Sequence, residues 1–269
     1  MALTKRRLKM TVFRFANGLS YKDIAAYASS TAFFFFIALI PLLILLSKLL
    51  PLTGITDDRL IGIISRITPG FANPVIEIIV KQAYASSGGL LPLSAGVLVF
   101  AIARGMSSFL RGLNNINDVK EKQTGIALTV RAVISTLLMV VNLVGFFVVI
   151  VFGEMIMSFL VSQIGILKEV PSFFSFRYIF IISLGVLIFM VMYTYLPAER
   201  HVFIKQLPGA VFSAVGWVVF STFFSMFLDS SIYATYYGSL ATIVIFMMWL
   251  YGCFYILLLG ANLNHSLAE

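Results

Sequence analysis

The stretch IAAYASSTAFFFFIALIPLLILL, residues 24–46, runs for 23 residues without a charged side chain. An α-helix rises about 1.5 Å per residue and the hydrocarbon core of a bilayer is about 30 Å thick, so a helix of this length crosses a membrane. Similar apolar stretches recur, separated by short charged connectors. The sequence therefore predicts an all-α polytopic membrane protein with six transmembrane helices, roughly Ile24–Leu50, Leu90–Ser108, Ile126–Phe159, Phe173–Leu196, Leu207–Leu228 and Ser239–Leu263.

The composition excludes a soluble globular domain. Apolar residues make up 60% of the 269-residue chain and charged residues only 11%, too few to cover a soluble core. Residues 1–23 form a basic arm, and the apolar run behind it is too long for a signal peptide, which favours a retained first span. We therefore expect the arm and a single six-helix domain, residues 24–269. The single cysteine, Cys253, excludes a disulfide framework.

Lysine and arginine are distributed unevenly between the two predicted faces of the membrane. Thirteen of the nineteen lie on the face that carries both chain termini, and six lie on the other face. The positive-inside rule then places both termini in the cytoplasm. We expect the net charge of +8 to attract anionic lipid headgroups on that side rather than nucleic acid. The sequence leaves open whether copies of the chain associate into a homo-oligomer.

The connector of residues 51–89 is predicted to lie outside the cytoplasm. Its acidic and basic side chains cancel, and its apolar residues recur at steps of three and four. This pattern predicts two short amphipathic helices, interrupted by Pro69-Gly70 and by Pro74. Such helices can pack on the bundle or lie along the outer headgroups, and a gating role is the alternative.

Charged and polar side chains at membrane depth mark the candidate site, because charges are costly in hydrocarbon. On the third span, five residues share a stripe about 80° wide at 100° per residue, whereas Glu154 lies off it. That stripe can line a wet cavity or pack on another helix. Arg104 can snorkel to the headgroups, and Glu154 can reach the outer interface. The substrate or cavity-lining candidates are Arg104, Arg131, Ser135, Asn142 and Glu154, with Gly145 and Gly153 completing the stripe.

Small residues recur at steps of about four along the fifth span. This arrangement lets two helix backbones approach closely within a membrane. We therefore expect a helix-packing face, and we expect it to meet the polar stripe of the third span. Its members are Gly209, Ser213, Gly216, Ser221 and Ser225.

Three blocks of sequence carry a family resemblance. They are AFF with ALIP (32–34 and 38–41), RGLNNIN (111–117), and a series formed by YLP (195–197), PGA (208–210), YGSLA (237–241) and GANL (260–263). Together they resemble the YihY / virulence factor BrkB family. The resemblance implies a six-helix protein of the bacterial inner membrane, suspected of transporting lipids or other solutes. Where the family pattern has Gly-Ala-Glu, this chain has Asn262, so a proton or cation contact of that acid is not expected here.

Members of that family once carried a ribonuclease label, which the residues of this chain do not support. A nuclease needs metal-binding carboxylates or a histidine acid–base pair in one cleft. His201 and His265 each lie at a predicted helix end, and the acids are divided between opposite faces of the membrane. No Walker loop, GxSxG, HExxH or CxxC occurs. We therefore predict no enzyme activity, catalytic residue, metal or cofactor.

The function expected from these features is transport or export of a lipid-like or amphiphilic substrate. The family resemblance supports it, as does a phenylalanine-rich, sparsely charged interior that suits an apolar cargo better than a hydrated ion. Two alternatives stay open. One is a non-transporting membrane scaffold that recruits cytoplasmic partners through the basic arm and residues 111–122, and the other is a small-solute or ion channel.

Overall fold

The computed structural model describes residues 12–16, 18, 22–49, 56–65, 73–85, 91–119, 130, 133, 136, 173–228 and 232–268. Within these ranges the chain forms helices and no strand, which confirms the all-helical prediction for them. A 3-10 turn, Phe203–Gln206, leads directly into the helix that begins at Leu207. The helices are α1 (Ile24–Leu49), α2 (Asp57–Ile64), α3 (Asn73–Ala85), α4 (Leu91–Ile116), α5 (Phe173–Tyr195), α6 (Leu207–Leu228) and α7 (Ile232–Ala268).

Four of these helices contain stretches long and apolar enough to cross a membrane. A shorter apolar stretch, Ile182–Tyr195, belongs to α5. The third predicted span, residues 126–159, lies almost entirely outside the described residues, so the count of six spans stays a prediction. The four long stretches are Ile24–Leu42, Pro92–Ile116, Phe203–Met226 and Ile243–Ala268.

Two of the predicted boundaries are wrong because packing, rather than apolarity, extends the helices. The predicted second span ends at Ser108, but α4 continues to Ile116, and the RGLNNIN block is largely helical. The predicted sixth span covers residues 239–263, but α7 has 37 residues, a length of about 55 Å. Its last turns carry Asn264 and Ser266, which are buried against neighbouring elements.

The two amphipathic helices of the 51–89 connector pack on the bundle. Leu60 of α2 and Val80 of α3 share an apolar cluster with Phe246 of α7, and Phe36 of α1 packs against it. Pro74 was expected to interrupt a helix, but it is the second residue of α3. A proline fits the first turn because that turn's N–H groups lack partners within the helix. Packing of this segment is thus observed, whereas its extracytoplasmic placement and a gating role stay predictions.

The bundle is built around α1 and α7. Helix α1 packs on α4 and α7, α6 packs on α7, and α5 packs on α6. The ring of Phe254 in α7 lies 5.0 Å from that of Phe35 in α1 and 5.9 Å from that of Phe109 in α4. Phe189 of α5 stacks on Trp217 of α6 at 5.6 Å with an interplanar angle of 10°. This packing brings the beginnings of α1 and α6 and the ends of α4, α5 and α7 to one end of the bundle.

Candidate functional site

Buried polar side chains collect where these five helix ends meet, and we call this region the polar end. Six polar side chains from α4, the 3-10 turn, α6 and α7 are each less than one-tenth exposed there. Buried polar groups destabilise a fold unless they are hydrogen-bonded, so their partners define the architecture of the region. They are Asn114, Gln206, Ser213, Asn262, Asn264 and Ser266.

Asn264 of α7 caps the first turn of α6. Its Oδ1 accepts a hydrogen bond from the Gly209 N–H at 2.7 Å. Its Nδ2 donates to the backbone oxygen of Gln206 at 3.2 Å and to Gln206 Oε1 at 3.0 Å. The first N–H groups of a helix have no partner within the helix, so a buried helix start needs such an acceptor from elsewhere. The amide thereby ties the beginning of α6 to the end of α7.

The same two helices touch backbone to backbone beside this cap. A Cβ added to Gly209 would lie 2.1 Å from the carbonyl oxygen of Gly260, so only glycine fits there. One turn further, Ser213 Oγ lies 2.7 Å from the Tyr193 hydroxyl of α5 and 3.2 Å from the Ile256 carbonyl oxygen. The Tyr193 hydroxyl also donates to the Leu257 carbonyl at 2.7 Å. Three helices are therefore joined by hydroxyl groups at a close crossing.

The end of α4 is joined to the α5–α6 connector and to the entry of α1. Asn114 Oδ1 accepts from the Ala198 N–H at 2.7 Å, and Asn115 Nδ2 donates to the Lys22 carbonyl at 2.8 Å. Helix α4 ends in a Schellman motif, in which the Val119 N–H donates to the Asn114 carbonyl at 2.9 Å. Asp118 provides the left-handed residue of this motif, with φ of 56°. The asparagines thus bind other elements, while the backbone closes its own helix.

Asn262 holds the N-terminal segment. Its Nδ2 donates to the Phe15 carbonyl at 3.0 Å, and its side chain is 1% exposed. Gly18 lies so close to this amide that an added Cβ would be 2.2 Å from Asn262 Oδ1. At this contact the amide donates a hydrogen bond to the carbonyl oxygen of Phe15. A carboxylate has no hydrogen to donate there and would repel that oxygen. Asn262 therefore has a structural role in this chain.

An ionic cluster at the rim joins three parts of the polar end. The Asp118 carboxylate contacts Lys22 Nζ through Oδ1 and lies 3.1 Å from His265 Nε2 through Oδ2. The Asp118 side chain is 63% exposed, whereas those of Lys22 and His265 are 16% and 19% exposed. Water screens the carboxylate, so the cluster is expected to orient the N-terminal segment rather than to stabilise the whole fold strongly.

Asp118→Asn tests this cluster because it removes the charge and keeps a side chain that tolerates positive φ. We expect the free energy of unfolding to fall by only about 0.5–1 kcal/mol. Trypsin cleavage between residues 14 and 22 should nevertheless accelerate severalfold, because the N-terminal segment loses its ionic contact. Glu199→Gln, a charge loss on the exposed connector, is the control. Unchanged cleavage in Asp118→Asn, or equal acceleration in both variants, would contradict the assignment.

His201 lies in the connector that joins α5 to α6. Its backbone N–H donates to the Thr194 carbonyl at 3.3 Å. Burial lowers the pKa of His201, Glu199 opposes that effect, and nearby His265 adds to the lowering. The His201 imidazole is therefore protonated less readily than a free histidine side chain.

The structure describes one of the five cavity-lining candidates predicted for the site. Arg104 is exposed on α4, with its guanidinium 5.5 Å from the Phe100 ring. The cavity candidates of the third span, Arg131, Ser135, Asn142 and Glu154, lie outside the described residues, so a joint site with Arg104 stays a prediction.

The small-residue stripe of α6 lies against α7 over most of its length. Gly209 and Ser213 make the contacts described above, Gly216 faces Ile256, and Ser221 Oγ accepts from Trp249 Nε1 at 3.1 Å. Ser225 is half-buried. The predicted contact of this stripe with the third span lies outside the described residues and stays a prediction.

The asparagines were not among the candidate site residues because each lies in an otherwise apolar or motif-rich stretch. Tyr193, at the end of the fourth predicted span, is expected from sequence to be an interfacial anchor with its hydroxyl in water, but it is 2% exposed and its hydroxyl bonds to Leu257 inside the bundle. The available signal was the placement of Asn262 and Asn264 inside a continuous helical pattern. Asparagine has a low intrinsic preference for helix interiors, so two of them in the last turns of a long apolar helix indicate tertiary partners.

The model of the virulence factor BrkB family matches residues 15–269, nearly the whole chain. The chain belongs to the virulence factor BrkB family. The match begins at Phe15, the residue whose carbonyl accepts from Asn262, and it includes the elements of the polar end. The resemblance drawn from the three sequence blocks is thereby confirmed.

Relatives of this BrkB family member cover most of its length. A ribonuclease-like protein, YfkH, of Bacillus subtilis strain 168 is 27% identical over 240 residues, which are 88% of this chain and 87% of the relative. A UPF0761 membrane protein of Aliivibrio fischeri strain MJ11 is 26% identical over 266 residues, 90% of this chain and 78% of the relative. No solved structure matches. This chain belongs to the same family and has helices long and apolar enough to cross a membrane, so it is a membrane protein.

The chemistry available at the polar end is that of neutral amides and hydroxyls inside and of cations at the rim. Among the residues that the structure describes, no three histidine, cysteine, aspartate or glutamate side chains are grouped so as to hold a metal ion. The interior of the polar end fixes five helix ends, and the exposed cations around it, Arg111, Arg200 and Lys205, can attract anions.

Proposed function

We propose that the protein is a transporter or exporter of a lipid-like or amphiphilic molecule. It crosses the bacterial inner membrane six times, keeps both termini in the cytoplasm and contacts anionic headgroups there. It acts without enzyme chemistry of its own. The 51–89 segment lies on the outer side of the membrane in this arrangement.

One observation carries the proposal. An open groove of about 550 Å³ runs beside the second half of α6, lined by Phe220, Phe223, Phe224 and Met226. All four side chains are apolar. A hydrated ion needs polar groups along its path, whereas an acyl chain is stabilised by contact with apolar surface. The groove therefore suits the apolar part of an amphiphile.

The charge distribution along the helices supports the same proposal. Residues 24–46 of α1 and all of α6, Leu207–Leu228, contain no charged side chain. Apolar side chains of α6 such as Phe212, Phe223 and Met226 are also substantially exposed on the described surface. A path beside α6 thus presents little to bind a small ion and much to bind lipid.

Liposome reconstitution with fluorescent phospholipid tests the transport proposal directly. We expect the protein to accelerate lipid movement between leaflets over empty vesicles. Phe223→Asn should slow it at least about threefold, because an acyl chain in the groove would cover the new amide and remove its hydrogen bonds to water. Phe212→Asn is the matched control. It replaces another exposed phenylalanine on nearly the same face of α6, three turns away and outside the groove.

Two results would overturn the proposal. One is movement no faster than in empty vesicles for protein whose folding has been verified by circular dichroism. The other is equal slowing in Phe223→Asn and Phe212→Asn, which would separate transport from the groove.

A scaffold function is favoured by a different observation, the exposed cations Arg111, Arg200 and Lys205 at the polar end. Deleting residues 1–11 discriminates between the two functions because it removes four basic residues and leaves the docked segment from Phe15 onward intact. A scaffold loses partner recruitment in this variant, whereas a transporter retains lipid movement in liposomes.

A further inference from the structure

One exposed face of α4 is apolar along its first half and positively charged along its second half. Its positions lie within about 60° of one another at 100° per residue and span about 27 Å along the axis. The three residues of its first half are apolar, with exposures of 65%, 38% and 56% for Leu93, Val97 and Phe100. The two residues toward the polar end, Arg104 and Arg111, are exposed cations. We call this face the α4 stripe.

The two arginines lie at different depths. Gly112, next to Arg111, packs on Tyr27 in the first turn of α1, whereas Gly105, next to Arg104, packs on Phe34 and Phe35. Arg111 is therefore level with the start of the charge-free run of α1. Arg104 lies about 10 Å from it along the axis of α4, toward the middle of the bundle. A cation at that depth is costly unless an anion or an interface compensates it.

Neither arginine has an acidic partner in the part of the chain that the structure describes. The Arg104 guanidinium lies over the Phe100 ring, which orients it but leaves its charge unneutralised. Guanidinium groups bind phosphate oxygens in bidentate geometry, so two arginines about 10 Å apart match a phosphate-bearing headgroup better than a carboxylate alone.

We propose that the α4 stripe binds one anionic phospholipid, with Arg104 and Arg111 holding the phosphate-bearing headgroup and Phe100, Val97 and Leu93 contacting an acyl chain. The assignment rests on the proposed function because it names the headgroup of the amphiphile that the protein handles. It differs from general attraction to a charged leaflet, because binding depends on two particular cations rather than on their total number.

Electron paramagnetic resonance of spin-labelled lipids tests the site without labelling the protein. The protein is reconstituted in phosphatidylcholine vesicles with trace spin-labelled phosphatidylglycerol or phosphatidylcholine, and the motionally restricted fraction of each is measured. We expect about a fivefold preference for phosphatidylglycerol. The preference should fall to nearly one in Arg104→Gln/Arg111→Gln and persist in Arg200→Gln/Lys205→Gln, which removes the same charge from exposed positions off the stripe.

The outcomes separate this site from the proposed function. Retained preference in Arg104→Gln/Arg111→Gln, equal loss in both double variants, or no preference in the native protein overturns the site. Lipid movement in liposomes, measured on the same samples, decides the transport function independently. Arg104→Lys/Arg111→Lys keeps the charge and the fold, so partial retention of the preference in that variant supports charge recognition at these positions.

Discussion

Gly209→Ala is expected to lower the free energy of unfolding by about 3 kcal/mol. The new Cβ would lie 2.1 Å from the Gly260 carbonyl oxygen and 2.5 Å from Asn264 Nδ2, so α6 and α7 must separate. Their separation also weakens the Asn264 cap and the hydroxyl contacts of Ser213. Thermal unfolding in detergent, followed by circular dichroism, measures the effect.

The sign of this effect is diagnostic, because alanine normally stabilises a helix interior relative to glycine by about 0.5–1 kcal/mol. Gly96→Ala provides the matched control. Gly96 lies in α4 with no atom within 4 Å of an added Cβ, so this variant should be as stable as the native protein or slightly more stable. If Gly209→Ala unfolds like Gly96→Ala, the close approach of α6 and α7 is wrong.

Asn262→Asp is expected to destabilise the protein at pH 7 by about 3 kcal/mol, although the two side chains have the same shape. The substitution replaces a donor to the Phe15 carbonyl by a carboxylate oxygen in a site that is 1% exposed. Two oxygens then oppose each other at the 3.0 Å distance of the present hydrogen bond. The N-terminal segment should detach first, which limited proteolysis at Arg14 reports.

The loss of stability in Asn262→Asp relative to the native protein, its stability deficit, should grow as the pH rises. Burial raises the pKa of the introduced carboxyl above its unfolded value of about 3.9. The folded state therefore takes up a proton more readily, and the deficit grows as pH rises from the unfolded pKa to the folded pKa. We expect the difference in melting temperature from the native protein to shrink between pH 7 and pH 5. A pH-independent difference would exclude a buried charge as the cause.

Asn117→Asp is the control for this pair of measurements. Asn117 Nδ2 also donates to a backbone carbonyl, that of Leu113 at 2.7 Å, but the side chain is only half-buried. Water can solvate the new carboxylate there, so the loss of stability should be well under that of Asn262→Asp. Equal losses at the two positions would show that burial is not the deciding factor.

Much of the helix placement could be predicted because the signal is local. A charge-free run of the right length needs no distant partner to form a helix in lipid, and the predicted bounds of α6, Leu207–Leu228, agree with the structure. Such a signal fails where a helix leaves the apolar region. The ends of α4 and α7 were predicted too short because polar residues interrupt the apolar run there, whereas in the structure their last turns bury asparagines such as Asn114 and Asn264 beside apolar residues such as Leu113.

The candidate site also combines features that are visible in the sequence with features that depend on how the helices pack. Arg104 was found because a charge in an apolar context is visible in the sequence, but its place on an exposed stripe with Phe100 required the packing of α4. The small-residue face of α6 was visible as a periodic pattern. Its observed neighbour, α7, was not, because periodicity indicates that a face packs without indicating which helix packs on it.

By itself, the amino-acid sequence determined the helical class, the positions of most apolar helices and the family, since these depend on composition and order along the chain. Only the tertiary structure decided what the asparagines do. Asn262 contacts Phe15, 247 residues away in the chain, and Asn264 caps a helix that begins 57 residues earlier. A hydrogen bond depends on the positions of two groups in space, and no local pattern specifies the distance between such remote residues.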